Sequence, residues 1–494
     1  MFHKVLIANR GEIAVRIIKA CRELEIETVA LFTASDQTSL HVRLAHECVR
    51  LDSHTDFMNS ELIAEIAQFK GADAVHPGIG FLSENTDFVR VCEDAGLTCI
   101  GPPLDILEAT QNKLAMLDAA RQAGIPTVTS STQLFGEGDF DALKATAREL
   151  GYPIILKSSR GGRGTAQRLV LGEEQLAEAV RQVYAEALRV YGDNRLYIER
   201  AIPKARQIGV QILGDADGNI IHLGEREGSL TWSNRKIIDE TPATGLPSKQ
   251  CEQLWETALQ LSRMVGYQNV GTVEFLVDAD GQFYFTEFKA RLQTDHPITE
   301  LVSGIDIVQH QLRLASGELL SLQQSEIHLN GHAIMARINA EDPNRHFLPS
   351  PGQFHQVRPP IGPFVRLDTY IHSNCNVPGD YSRLVAKLST WAPDRPGCIK
   401  RLKQALEEFV LSGRPQTNVP LIQNVLETQA FLEGAYDTGF SIHALQAGQF
   451  PETYVRDLAI AAAIYYVRRN QMFDPSIPER LMSGWHRDSR RLPE

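Results

Sequence analysis

Residues 272–295 read TVEFLVDADGQFYFTEFKARLQTD. Strand-forming residues fill Thr272–Val277 and Phe283–Phe288, and Asp278-Ala-Asp-Gly281 between them is a turn sequence, so the segment reads as an antiparallel hairpin. Such a hairpin sets Glu274 on one strand close to Glu287 on the next. Two carboxylates held together repel unless cations lie against them. On a sheet they suit one or two Mg²⁺ ions that bridge nucleotide phosphates. If the chain stays extended past Glu287, then Lys289, Arg291, Gln293 and Asp295 share its face. Arg291 then has the geometry to clamp a small planar anion through two N–H groups. The plain structural alternatives are outward-facing glutamates on a wetted sheet and an arginine in an ordinary ion pair.

Upstream of the hairpin the pattern changes. Val5–Ala8 is a short apolar run, and residues 12–25 carry Ile13, Val15, Ile17, Ile18, Cys21 and Leu24 at helical spacing. Thr28–Phe32, Ala74-Val75 and Leu97–Ile100 continue the alternation of strands and helices. This βαβ pattern predicts a mostly parallel sheet over residues 1–112. A helix over 112–123, a strand at Pro126-Thr-Val and a helix over 140–149 follow. The strand Tyr152–Lys157 then runs into SSRGGRGTA, residues 158–166. Two helical stretches within 173–190 and the strand Leu196–Glu199 complete a lid-like domain over about 130–203. Ile208–Leu213, Ile220–Glu225 and Lys236–Glu240 read as further strands. A third sub-domain spans 332–445, with an amphipathic helix over Leu402–Leu411. The tail, 446–494, carries a helix over Tyr454–Arg469 and a polar end.

The Lys157–Thr165 loop is glycine-rich and cationic. Glycines let backbone N–H groups approach phosphate oxygens, and Lys157 and Arg163 supply positive charge. Its order is not that of a Walker A loop. Arg337, in Ala-Arg-Ile-Asn-Ala-Glu-Asp342, is a second candidate for stabilising developing negative charge. His296 reads as orienting a neighbour, and His76 as structural. The chain has 494 residues, a net charge of −12 and seven scattered cysteines. That balance argues against a nucleic-acid binder. The cysteines show no paired spacing and fit a reducing compartment. No apolar run is long enough for a membrane span, so a cytoplasmic enzyme is expected.

Several further stretches occur with these: Ile7-Ala-Asn-Arg-Gly-Glu-Ile-Ala-Val-Arg16, His76-Pro-Gly-Ile-Gly-Phe-Leu-Ser-Glu-Asn85, Leu223-Gly-Glu-Arg-Glu227 and Asp437-Thr-Gly-Phe440. Together they resemble biotin carboxylase, the ATP-grasp component of biotin-dependent carboxylases, over about residues 2–445. The resemblance implies an α/β ATP-grasp fold: a Rossmann-like N-terminal domain (1–112), an ATP-grasp domain (113–331) with a mobile lid, a C-terminal α+β sub-domain (332–445) and a helical tail. It implies that ATP, bicarbonate and biotin yield carboxybiotin, ADP and phosphate through carboxyphosphate. By the same resemblance, Lys113, Lys157, Glu199 and Lys236 contact the nucleotide, together with Gly161, Gly162, Arg163 and Gly164. Glu274 and Glu287 hold Mg²⁺ or Mn²⁺, and Arg291 and Gln293 bind bicarbonate. Arg337 stabilises the biotin enolate and the carboxyphosphate charge.

Departures from the family cluster at the site. Lys289 stands where the family has Asn. Asp295 replaces the Glu that deprotonates bicarbonate and is one methylene shorter, and Thr294 replaces Val. Arg160 replaces a glycine of the loop, Ile79 replaces a tyrosine set against biotin, and Asp380-Tyr381-Ser382-Arg383 replaces Tyr-Tyr-Asp-Ser. No Met-Lys-Met biotinylation turn occurs, so the resemblance implies a separate biotin carrier protein and a carboxyltransferase subunit, with a homodimer expected. The departures leave two other expectations open: a biotin-independent ATP-grasp carboxylase or ligase acting on another acceptor, and a non-catalytic nucleotide-binding subunit.

Overall fold

In a computed structural model of the chain, the central strands of the N-terminal sheet carry apolar runs because both faces of that sheet are covered. Val5, Leu6, Ile7 and Val29–Leu31 are fully buried. Lys4–Ile7, Glu27–Phe32, Glu47–Arg50, Ala74–His76 and Thr98–Cys99 form a five-stranded parallel sheet in the spatial order third, second, first, fourth, fifth. The order reverses between the first and fourth strands, and such a switch point opens a crevice at the strands' carboxyl ends. Asn9 leaves the first strand there. Its amide nitrogen donates to the carbonyls of Pro77 at 2.7 Å and Ile79 at 3.1 Å. Gly78 is required for this clasp: its φ is +63°, and a Cβ would stand 2.8 Å from Asn9 Nδ2.

The structure describes residues 1–159, 166–193, 195–232, 235–442, 445 and 452–472. The glycine-rich loop, with Arg160, Gly161, Gly162, Arg163 and Gly164, lies outside the described residues, as does the polar end of the chain. Met1–Ile442 form one unit and His443–Glu494 a second, in which a helix runs over Glu452–Met472. No helix among the described residues is long and apolar enough to cross a membrane.

The hairpin lies at one edge of an eight-stranded sheet. Its order is Phe283–Lys289, Asn269–Val277, Arg206–Gly214, Ile220–Trp232, Arg235–Thr241, His332–Asn339, Leu384–Ala392 and Val365–Thr369, with antiparallel neighbours. The sheet therefore passes without a break from the segment before residue 331 into the segment after it. Glu274 lies directly opposite Glu287 in register. Phe275, Phe285, Val273 and Leu254 bury the opposite side in one apolar cluster.

Gln167–Val170, Ile154–Ser158 and Leu196–Arg200 make a separate three-stranded sheet. With the helices Phe140–Leu150 and Glu173–Tyr191 it has its own core, which includes Phe135, Leu143, Leu156, Val183 and Ile198. Three local expectations need correction. Residues 173–190 are one helix, ended by Gly192 in the left-handed region, because its apolar face is continuous. At Pro126-Thr-Val there is only a single bridge, Thr127 to Phe285. The helix placed at Leu402–Leu411 runs over Arg395–Glu408, started by Asp394 accepting from Gly397 N–H at 2.7 Å, and Val410–Gly413 is a strand.

Candidate active site

The expectation that Glu287 to Asp295 form one extended face does not hold. The strand ends at Lys289, the Arg291 N–H turns back to the Lys289 carbonyl at 2.9 Å, and a helix begins at His296. Pro297 in the first turn of that helix has no N–H to give a strand ladder. The charged residues of the segment therefore go to three different places.

Glu287 faces lysines. Its Oε1 is 2.8 Å from Lys289 Nζ and its Oε2 3.2 Å from Lys113 Nζ. Burial opposes its ionisation, but Lys113, Lys289 and Lys157 overcome that and hold its carboxyl well below the usual range. Lys113 opens the helix Lys113–Gln122, where the Asn112 side chain accepts from Ala115 N–H at 3.2 Å. Lys157 pairs with the buried Glu199 across the lid sheet. Glu274 accepts from Gln293 Nε2 at 2.8 Å and has Lys236 Nζ at 4.0 Å. Arg291 goes elsewhere: its Nε pairs with Glu84 of the N-terminal domain at 3.1 Å.

Asp295 is 1% exposed and surrounded by cations. Arg226 Nε lies 3.1 Å from its Oδ1, and Lys236 Nζ and Arg337 Nη2 lie 3.1 and 3.3 Å from its Oδ2. Burial disfavours its charge, yet Arg226, Lys236 and Arg337 together hold the carboxyl well below the usual range. Arg337 also forks onto Asp239 through Nε at 2.7 Å and Nη2 at 3.0 Å. Arg226 is itself held by Gln211, Thr299 and Thr272 at 2.8, 2.9 and 3.1 Å.

Arg226, Asp239 and Glu84 pair with candidate site residues, and the sequence reading passed over them. Asp239 carried a signal, since an acid three residues after Lys236 within an apolar strand must find a cation. Arg226 lay inside a recognised stretch without a role. Glu84 likewise lay inside the recognised stretch His76–Asn85 without a role.

The two histidines are neutral. His296 is fully buried and donates through Nδ1 to the Gln293 carbonyl at 2.8 Å, which fixes the turn that carries Gln293. Burial, with Lys387, Arg16 and Arg366 nearby, pushes it well below the usual range. His76 Nδ1 accepts from Gly78 N–H at 3.0 Å, and burial lowers its pKa to about 3.

Beside this charged cluster the switch-point crevice opens into a cavity of about 360 Å³. Asn9, Arg10, Ile79, Phe81, Thr294 and Tyr381 are among its walls, so it reaches the residue next to Asp295. Arg10 stacks 4.0 Å over the Tyr381 ring and pairs with Asp36, and Tyr381 shares a 2.9 Å hydrogen bond with Thr33.

Among the described residues no three His, Cys, Asp or Glu side chains gather to hold a metal ion by themselves. Glu274 and Glu287, opposed on adjacent strands, still fit a hard divalent ion that takes its other oxygens from a nucleotide.

Comparison with known proteins agrees with this architecture. "Biotin carboxylase, N-terminal domain" matches residues 1–107, "Carbamoyl-phosphate synthase L chain, ATP binding domain" residues 112–323, and "Biotin carboxylase C-terminal domain" residues 335–442. The biotin carboxylase of Nostoc sp. is 40% identical over 442 residues, 89% of this chain and 98% of that protein. The 2-oxoglutarate carboxylase small subunit of Hydrogenobacter thermophilus is 38% identical over 442 residues, 89% of this chain and 93% of that protein. Among solved structures, the biotin carboxylase domain dimer of the H. thermophilus 2-oxoglutarate carboxylase, in complex with MgADP, ADP and bicarbonate, superposes with a TM-score of 0.88. It is 38% identical, and the match covers 92% of this chain and 100% of that one. A Campylobacter jejuni biotin carboxylase–β-γ-ATP complex gives 0.85 at 37% identity, covering 89% and 98%. The fold is thus an ATP-grasp with a Rossmann-like N-terminal region, and the parallel sheet, the hairpin and the crevice between them take their meaning from it. The chain belongs to the biotin carboxylase family, ATP-dependent ligases that carboxylate biotin with bicarbonate.

Proposed function

We propose that the charged cluster around Asp295 is where bicarbonate is activated, and that the switch-point cavity receives biotin from a separate carrier protein. The supporting observation is the convergence of Lys236, Arg337 and Arg226 on one buried carboxylate beside the Glu274–Gln293 pair. Three cations in a water-poor site are pre-arranged for a reaction whose substrates and intermediates are anions.

In this reading Lys113 and Lys157 meet the nucleotide phosphates, aided by the Gly161–Gly164 loop with Arg163. Glu199 orients Lys157, and Lys236 contacts the transferred phosphoryl group. Glu274 and Glu287 hold Mg²⁺ or Mn²⁺, which neutralises phosphate charge when bound. Gln293 and Arg291 bind bicarbonate. Gln293 is already in place beside Glu274, whereas Arg291 leaves Glu84 to do so.

Asp295 takes the proton from bicarbonate. Its three cations keep it ionised but also make it a reluctant base. Anions arriving at Lys236 and Arg337 draw those charges away and raise its basicity at the moment it is needed. Arg337 then stabilises the charge of carboxyphosphate and the negative charge that develops on the acceptor. The carboxylated carrier passes to a carboxyltransferase subunit. The active form is a homodimer in the cytoplasm. The lid over about 130–203, which has its own core, closes on the nucleotide.

The test is ADP release measured with and without bicarbonate, and with and without free biotin. Biotin-stimulated, bicarbonate-dependent release is expected. Absence of bicarbonate-dependent turnover, both alone and with a carrier, would remove this reading.

A further inference from the structure

We infer that the Lys289 ammonium is a built-in cation at the acidic strands, standing where Glu287 would otherwise hold a second divalent ion, so that this enzyme takes one divalent ion with each nucleotide. The inference rests on the reading of Glu274 and Glu287 as the metal carboxylates.

Two opposed carboxylates on adjacent strands can support either one ion or two. What decides between these is which oxygens remain open. Glu287 Oε1 is engaged by Lys289 Nζ at 2.8 Å, and Oε2 by Lys113 Nζ at 3.2 Å. These two lysines are held differently. Lys113 comes from a helix start on another element, at the longer distance, and the proposed phosphates draw it away. Lys289 comes from the same strand two residues on, so strand periodicity aims it along Glu287. Its backbone is in register opposite Thr272, and the residue is only 8% exposed. Its ammonium lies against the Glu287 carboxylate and so takes up the space on that side of the acid.

A divalent ion seeking Glu287 Oε1 would have to displace this ammonium or tolerate its repulsion at contact range. Glu274 differs. Gln293 occupies its Oε1, and its other oxygen has no hydrogen-bond partner among the described residues. The single ion is therefore carried from the Glu274 side, and Lys289 supplies the positive charge on the Glu287 side.

The experiment is a Mn²⁺ titration of the full chain saturated with a non-hydrolysable ATP analogue, with free Mn²⁺ read by electron paramagnetic resonance. One bound Mn²⁺ per chain is expected for the parent protein and for Lys289→Arg. Two are expected for Lys289→Asn and for Lys289→Met, which keeps the stem and removes the charge. Thermal melts of each variant confirm that the counted protein is folded. Two ions in the parent, or one ion in both neutral variants, would overturn the inference. Calorimetry with the same analogue separates the two levels of the argument. If the nucleotide binds with two ions, only the Lys289 inference is lost. If the parent binds no nucleotide, the metal-carboxylate reading falls and takes the inference with it.

Discussion

Arg337 offers the sharpest test because its structural role and its proposed catalytic role can be pulled apart. Its guanidinium donates to Asp239 at 2.7 and 3.0 Å and to Asp295 at 3.3 Å. Asp239 is 1% exposed, and without Arg337 its remaining cation partner among the described residues is Lys236, at 3.9 Å. Removing one partner of a buried pair costs about 3–5 kcal/mol. The Arg337 side chain retains 16% exposure, so water partly replaces it and Arg337→Ala is expected at the low end, ~3 kcal/mol. Asp239→Asn removes the stranded charge while keeping the shape, so the double variant should regain about 1–2 kcal/mol. Activity should behave differently. If Arg337 stabilises charge that develops in the reaction, its loss reduces biotin-dependent ADP release by about 10²–10³-fold. The second substitution should restore none of it. The two readouts are the urea midpoint and bicarbonate- and biotin-dependent ADP release, with ATP affinity expected to stay near the parent value. Recovery of turnover in step with stability in the double variant would show that Arg337 is only a structural counter-ion.

Asp295→Asn leaves Arg226, Lys236 and Arg337 facing a neutral amide, so a stability loss of ~3 kcal/mol is expected along with loss of bicarbonate-dependent turnover, and undiminished turnover would exclude Asp295 as the base. His41 and His76 are buried with pKa values lowered from 6.5 to about 4 and about 3. The unfolded chain takes up their protons near its own value while the folded chain does not, so the stability they confer is present above about pH 6.5 and lost as pH falls toward the folded values. The slope is about 1.4 kcal/mol per pH unit for each histidine. His76→Gln should flatten stability against pH by that amount between about pH 4 and 6, and an unchanged slope would show that His76 protonates without unfolding. Gly78→Ala forces a Cβ to 2.8 Å from Asn9 Nδ2 at a φ of +63° and should disturb the crevice at a cost of about 1–3 kcal/mol. The KM for free biotin should rise while that for ATP holds, and an unmoved biotin KM would place the acceptor elsewhere.

How much of this was legible beforehand depended on how local each signal was. The hairpin could be read because its turn, its alternation and its two glutamates lie within one short stretch, and Glu274 does face Glu287. Most of the parallel sheet could be read for the same reason, because four of its strands carry short apolar runs, whereas the edge strand Glu47–Arg50, with charged residues at both ends, gave no such run. What could not be read locally was the surroundings of Asp295. Arg226 reaches it from the strand Ile220–Trp232 and Arg337 from His332–Asn339, and only the pairing order of the large sheet brings those positions together.

The placement of residues 287–295 is a different case, because there the local information was present and was misapplied. Alternation assigns a common face only while the strand persists. Asp295-His296-Pro297 is a helix start, with an acidic residue ahead of a proline that cannot extend a ladder. Giving that signal priority ends the strand before Arg291 and predicts that the charged side chains part company. The proposed chemistry depends on that parting. A straight strand would give Glu287, Lys289, Arg291 and Asp295 one shared surface on which their charges cancel. With the turn, Lys289 stays with Glu287, Arg291 pairs with Glu84 of the N-terminal domain, and Asp295 enters a pocket of three cations. In the proposed reading, metal-and-phosphate chemistry and bicarbonate activation would thereby have separate but adjoining electrostatic environments, with Gln293 on Glu274 and Lys236 on Asp295 linking them.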